Sequence, residues 1–167
     1  ADPSFKVEVL ARDCSKAQRV LNPSVFSGHS AVKLVEGDLL DLDPWAYRLD
    51  NIDVIVTTVS CGLRTDPLVL LGLRAPPANL PSAVDGDGVA QLARAAREHG
   101  VRRIVAVTTA SAGTPWAPAA IFLNSLCFMS VKWKFVGEQA IRDSGLEYVI
   151  IRPFGLVETA SGEESGL

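Results

Sequence analysis

At 167 residues, with 48% hydrophobic and 21% charged side chains, the chain is long enough for one globular domain and too apolar for disorder. Sixteen basic against nineteen acidic side chains leave a formal net charge of −3. No basic run is present to neutralise a phosphate backbone, which argues against a nucleic-acid partner. Cys14, Cys61 and Cys127 are odd in number and widely spaced, unlike a zinc site or a disulfide framework, and point to a reducing compartment.

Strand-like and helix-like patterns alternate along the chain. The chain opens on Asp2-Pro3 and soon enters a strand-like stretch, so no signal peptide is expected in it. Phe5, Val7 and Val9 recur at period two over Phe5 to Ala11, and a helix over Lys16 to Leu21 follows with Ser15 as its cap. Val32 to Glu36 reads as a second strand ending at Gly37-Asp38, and Pro44 to Leu49 as one helical turn. Ile52 to Val59 reads as a third strand, buried because of its β-branched density.

Pro67, Pro76, Pro77 and Pro81 interrupt Ser60 to Val84, leaving at most a short helix at Leu68 to Leu73. Val89, Leu92, Ala93 and Ala96 stand at helical spacing, with Asp85 or Asp87 to cap the start. Gly100 ends this helix before the strand Arg103 to Thr109. Ser130 to Ser144, Gly145 and Tyr148 to Arg152 make a further helix and strand, Tyr148 being expected in the core. Ala117 to Val131 is apolar but shorter than the about 20 residues that span a bilayer, so no transmembrane helix is expected.

Strands separated by helices predict an α/β fold with a doubly wound parallel sheet, because parallel neighbours need crossover connections. Ligands of such sheets bind beyond the carboxyl ends of the strands. Here those ends are Ala11 to Cys14, Gly37 to Leu39, Thr58 to Gly62, Thr108 to Gly113 and Pro153 to Val157.

Ser130, Lys134 and Glu138 at four-residue intervals, followed by Ser144-Gly145 and Ile151-Arg152-Pro153, resemble the Tyr-x-x-x-Lys-x-x-x-Glu helix and next strand of extended and atypical short-chain dehydrogenases/reductases. Val9-Leu10-Ala11-Arg12-Asp13, Glu36-Gly37-Asp38-Leu39 and Val84-Asp85-Gly86-Asp87-Gly88-Val89 are similar to successive segments of NmrA-like members. Plastid and cyanobacterial proteins are the nearest in pattern. The resemblance implies a single Rossmann-like NAD(P)-binding domain over residues 1–167 that lacks its first strand, glycine-rich turn and first helix, and is thus incomplete at its N-terminus.

The family pattern implies roles for particular residues. Arg12 would meet a ribose 2′-phosphate, favouring NADP over NAD; a surface pair with Asp13 is the plain alternative. Asp38 and Leu39 would lie against adenine, although Asp38 also suits a turn. Thr58, Val59, Pro153 and Phe154 would line the dinucleotide. Lys134 would bind the nicotinamide ribose, and Thr109 would offer a hydroxyl to a carbonyl or water.

Ser130 stands where the catalytic tyrosine would be, and a serine hydroxyl is a far weaker acid than a phenol. Dehydrogenase activity is therefore expected to be doubtful or absent. His29 and His99 are solitary, and no metal cluster is expected.

Ala119 to Phe135 reads as one apolar helix that, with Leu68 to Leu73, offers a protein-partner surface or a covered core. Three functions compete: an NADP-binding protein with little or no catalysis, a non-catalytic subunit or assembly factor of an organellar complex, and a reductase whose acid comes from elsewhere. With the last two, the cofactor is absent or NADPH respectively. A chloroplast or other organelle matrix is the expected location, with the cytoplasm second.

Overall fold

A computed structural model describes residues 6–20, 31–61, 67–75, 79–114 and 116–154. Strands β1 (Lys6–Ala11) and β2 (Ala31–Glu36) pair in parallel, Lys6 beside Ala31 and Ala11 beside Glu36. Strands β3 (Val54–Thr57), β4 (Arg103–Val107) and β5 (Glu147–Ile151) form a second parallel group in that order. Among the described residues the strands pair only in parallel, as the alternation of strands and helices requires.

Helix α1 (Cys14–Val20) follows β1, and its cap is Asp13 rather than Ser15: Asp13 Oδ1 accepts from the Lys16 backbone N–H at 2.8 Å. This bond occupies the Asp13 side chain at the helix N-terminus. A 3-10 turn, Ala46–Asn51, stands where one helical turn was expected. The proline-rich segment contributes only the short α2 (Pro67–Leu70).

Ahead of α3 (Val89–Glu98) the backbone forms a π-helical turn, Ser82–Gly88. Neither Asp85 nor Asp87 caps α3; no side-chain cap bond is present, and Asp85 is buried in the turn. Gly100 ends α3 with φ of +76°, a conformation that glycine adopts without steric cost.

The expected continuous helix over 119–135 is instead two. Helix α4 (Pro118–Leu126) stops, and α5 (Ser130–Asp143) starts beyond a bend in which Phe128 and Met129 both have positive φ, 49° and 61°. Asn124 explains the break: its carbonyl accepts from Met129 N–H at 2.9 Å and its side-chain oxygen from Lys132 N–H at 3.1 Å. A polar residue in the apolar run thus supplies the acceptors that the new helix N-terminus needs.

Leu39, Trp45 and Leu49, from the connection between β2 and β3, are buried in one cluster with Leu92, Ile104 and Ile141. They tie the β1–β2 pair to the α3 and α5 layer over β3–β5. Helices α3 and α5 pack on each other and on the π-helical turn. Tyr148, expected in the core, is half exposed on the edge strand β5 with the Arg142 guanidinium 6.0 Å from its ring centre. An edge strand has covering neighbours on one side only, so its phenol remains at the surface.

Among the described residues no helix is long and apolar enough to cross a membrane.

The approach of α5 to the π-helical turn depends on Gly137, where a Cβ would collide with the Asp85 carbonyl oxygen and meet Val89 at 3.3 Å. Gly137→Ala is expected to lower stability by about 1–3 kcal/mol through overpacking, read from urea unfolding midpoints. Gly72→Ala, where nothing lies within 4 Å of the added carbon but φ is +71°, is expected to cost only about 1 kcal/mol.

Candidate functional site

The carboxyl ends of β3, β4 and β5 are joined by two buried ionic groups, both anchored on α5. In the first, Lys134 Nζ donates to Asp85 Oδ1 at 2.6 Å and reaches the Val59 carbonyl oxygen at 3.5 Å. The Asp85 side chain is 2% exposed and that of Lys134 13%, so the pair is shielded from water and from screening by salt. The Cys61 N–H reaches Asp85 Oδ2 at 3.5 Å. Burial, then the Asp85 charge and hydrogen bond, pushes the Cys61 thiol up to about 11. At neutral pH it stays protonated and is a poor nucleophile.

The second group centres on Glu138, whose side chain is fully buried. Arg152 Nη2 donates to Oε2 at 2.6 Å and Arg152 Nε to Oε1 at 3.2 Å, a two-point guanidinium contact. Thr108 Oγ1 donates to Oε1 at 2.7 Å, and Arg142 Nη2 to Oε2 at 3.2 Å. Burial alone would raise the Glu138 carboxyl, but donation from Arg152, Thr108 and Arg142 outweighs it and holds the group below the ordinary 4.5. Gly113 lets this assembly close, since a Cβ there would lie 2.9 Å from Arg152 Nη1.

Between the two groups is a cavity of about 20 Å³ lined by Thr57, Asp85, Thr108, Lys134 and Glu138, on the scale of a single water molecule. The buried Thr57 hydroxyl has no hydrogen-bond partner.

The residues singled out from sequence occupy different settings. Arg12 lies exposed in the bend after β1, and among the described residues it makes no ion pair. The Asp38 carboxylate accepts from Leu40 N–H at 3.0 Å, a turn bond, while its carbonyl accepts from the Trp45 indole at 2.9 Å. Leu39 is buried in the core. Thr58 is exposed and Val59 half-buried after β3; Thr109 is half-buried after β4.

Pro153 accepts from Ala110 N–H at 3.0 Å, and Phe154 beside it is almost fully exposed. Ser130, the first residue of α5, is buried one turn before Lys134. Val59, Lys134 and the Thr108-Thr109 pair are thus brought around one rim, with Arg12 and Asp38 at the ends of the β1–β2 pair.

Asp85 is the residue whose role the local pattern hid. A carboxylate before Gly-x-Gly reads as a cap, and nothing nearby in sequence announces a lysine 49 residues on. The Glu138–Arg152 pair is visible as two motif residues but not as a contact. Among the described residues no group of three or more His, Cys, Asp and Glu could hold a metal ion.

A family model described as NAD(P)H-binding matches residues 1–166. Over 81 residues, 46% of the chain, the sequence is 37% identical to an uncharacterised chloroplastic protein of Arabidopsis thaliana, covering 29% of that protein.

Among solved structures, a Bacillus halodurans protein classed with NAD-dependent epimerases/dehydratases superposes with a TM-score of 0.69 at 16% identity, over 96% of this chain and 64% of that one. An oxidoreductase from Lactococcus lactis matches at 0.63 and 19% identity, over 95% and 73%. A short-chain dehydrogenase/reductase of Veillonella parvula, solved with NADP, matches at 0.59 and 16% identity, over 89% and 57%. At these identities the likeness is one of fold, and it agrees with the Rossmann-like expectation.

Glu138→Gln retains the shape but leaves two arginines facing a neutral amide. Stability is expected to fall toward the low end of about 3–5 kcal/mol, because both guanidiniums stay partly solvated. A carboxyl held low in the folded state stabilises fully above its unfolded value near 4.5, and that contribution is lost as pH falls through the lowered value. Thermal melts from pH 7 to pH 3 are expected to show an acid decline in the wild type that is shallower in Glu138→Gln.

Proposed function

Since the chain belongs to the NAD(P)H-binding family, we propose that it is an NADP-preferring dinucleotide-binding protein in which hydride transfer is weak or absent. The chain spans 64% of the Bacillus structural relative and 29% of the Arabidopsis one, so the activity of the whole protein is part of this proposal.

Arg12 carries the cofactor preference. Its guanidinium follows β1 without an ion pair among the described residues, and Asp13, the neighbour that would neutralise it, is occupied as the α1 cap. An uncommitted fork of donors at that strand end suits a 2′-phosphate. Thr58, Val59, Lys134, Pro153 and Phe154 are the residues that would hold the remainder of the dinucleotide, and Asp38 with the backbone of Leu39 would flank adenine.

NADPH, when bound, supplies a hydride; the carbonyl receiving it also needs a proton. Ser130 is a poor acid and is buried, and Lys134, which would assist a phenol, is engaged by Asp85 at 2.6 Å. Thr109 can orient a carbonyl or a water but is no stronger an acid than Ser130. Turnover as a reductase would require an acid from outside the described residues.

A second reading, a subunit or assembly factor of an organellar complex, is favoured by exposed apolar side chains. Ile121 and Phe122 lie on α4, and Leu71 and Leu73 beyond α2, on the two segments expected to meet a protein partner; Trp116, ahead of α4, is exposed as well. Similarity to a chloroplastic protein supports a plastid location.

Fluorescence titration distinguishes these readings. Arg12→Ala is expected to weaken NADPH binding roughly 10- to 100-fold, the scale of about 1.5–3 kcal/mol for charged hydrogen bonds, and NADH binding by less than threefold. Equal weakening of both nucleotides would overturn the NADP preference, and absence of binding by the wild type would favour the subunit reading.

A further inference from the structure

Thr57, the last residue of β3, is a hydroxyl on an otherwise apolar face. Parallel pairing sets it beside Ala106, in rows with Ile55 and Ile104 that pack in or against the core. The residue is 7% exposed, and its Oγ1 finds no hydrogen-bond partner among the described residues. A valine would fill nearly the same space without the cost, since a buried hydroxyl left unbonded loses its hydration and gains nothing. Thr57 lines the cavity of about 20 Å³ that separates the two ionic groups.

The other walls of this cavity have hydrogen-bonding capacity left over, of both kinds. The Lys134 ammonium carries three N–H donors, of which two go to Asp85 Oδ1 and the Val59 carbonyl oxygen. The Asp85 carboxylate offers about four lone-pair sites against one strong donor, Lys134, and weaker contacts from Cys61. Glu138 has nothing to add, because Thr108, Arg142 and two donors of Arg152 occupy its oxygens. Thr108 has committed its proton to Glu138, so its oxygen can only accept. Thr57 still has its proton to give.

The charges around the cavity decide what fits. An anion would face Asp85 and Glu138, and a cation would face Lys134, in surroundings that screen little. A neutral ligand with two donors and two acceptors meets no such conflict, and the volume admits one water molecule.

We propose that this cavity is the binding site of one structural water with four partners. It accepts from Thr57 Oγ1 and Lys134 Nζ, and it donates to an Asp85 carboxylate oxygen and to Thr108 Oγ1. Through Thr108 it reaches Glu138, which ties the two ionic groups together across the space between them. Thr57 is thereby a positioning residue: it acts through the water on the Lys134 ammonium and helps to hold that ammonium on Asp85. The site is independent of the dinucleotide reading.

Heteronuclear NMR of the isotope-labelled protein and thermal unfolding test it together. In the wild type the Lys134 ammonium is expected to give a resolved signal with a cross-peak to a long-lived water. Thr57→Val is expected to remove the cross-peak and shift the signal, whereas Thr57→Ser, which keeps the hydroxyl, retains both. Thr57→Val is also expected to melt about 2–6 °C below the wild type, the scale for a lost hydrogen bond in a chain of this size. Melting above the wild type, with the Lys134 signal unmoved, would overturn the proposal, because removing a hydroxyl that bonds nothing relieves a cost. So would a wild-type Lys134 ammonium without a water cross-peak, a result that stands even if neither variant folds. No nucleotide enters either measurement, so failure to bind NADPH leaves the result interpretable.

Discussion

Gly137 brings the α5 backbone against the Asp85 carbonyl, and most of the remaining architecture follows from that approach. Three residues before Gly137, Lys134 closes on the Asp85 carboxylate; one residue after it, Glu138 turns toward β4 and β5. The helix can reach both because its side chains at those positions flank the contact. A side chain at 137 would hold α5 away and leave two buried charges without partners, a far larger loss than the contact itself.

The π-helical turn is the other half of this contact. By widening the backbone ahead of α3, it buries Asp85 and Gly86 under α5, where Trp133 lies on Gly86 within 2.9 Å of the position a Cβ would take. Such departures from α-helical geometry are frequent at functional sites, and here the departure presents a carboxylate to Lys134. The chemical result is a neutral ion pair at the carboxyl ends of the strands, in place of an unpaired ammonium. Glu138 performs a separate task. It gathers Thr108, Arg142 and Arg152, thereby joining the ends of β4 and β5 to α5, and it does so with a carboxylate that stays ionised at neutral pH.

Much of the fold was legible because its signals are local. The β-branched run in Ile52 to Val59, the helical spacing of Val89, Leu92, Ala93 and Ala96, and Gly100 with its positive φ each act within one element; the burial expected of that strand is not local, and Val54 and Val56 of β3 are exposed. The break between α4 and α5 was not, although Asn124 marks it. A single polar residue in an apolar helix is ordinarily tolerated, and only the seated N-terminus of α5 shows that its side chain is needed as a cap.

For the candidate site, the resemblance to short-chain dehydrogenases/reductases brought attention to Arg12, Lys134, Glu138 and Arg152, and the weak acidity of a hydroxyl marked Ser130 as an unsuitable acid. That is chemistry intrinsic to side chains, and it needs no coordinates. Partnership does need them. That Lys134 reaches Asp85 and the Val59 carbonyl, that Glu138 gathers Thr108 and Arg152, and that the Leu39 side chain is buried with Leu92 and Ile141 depend on contacts between residues remote in sequence. Their energies come from burial and mutual distance, so tertiary packing alone decided them.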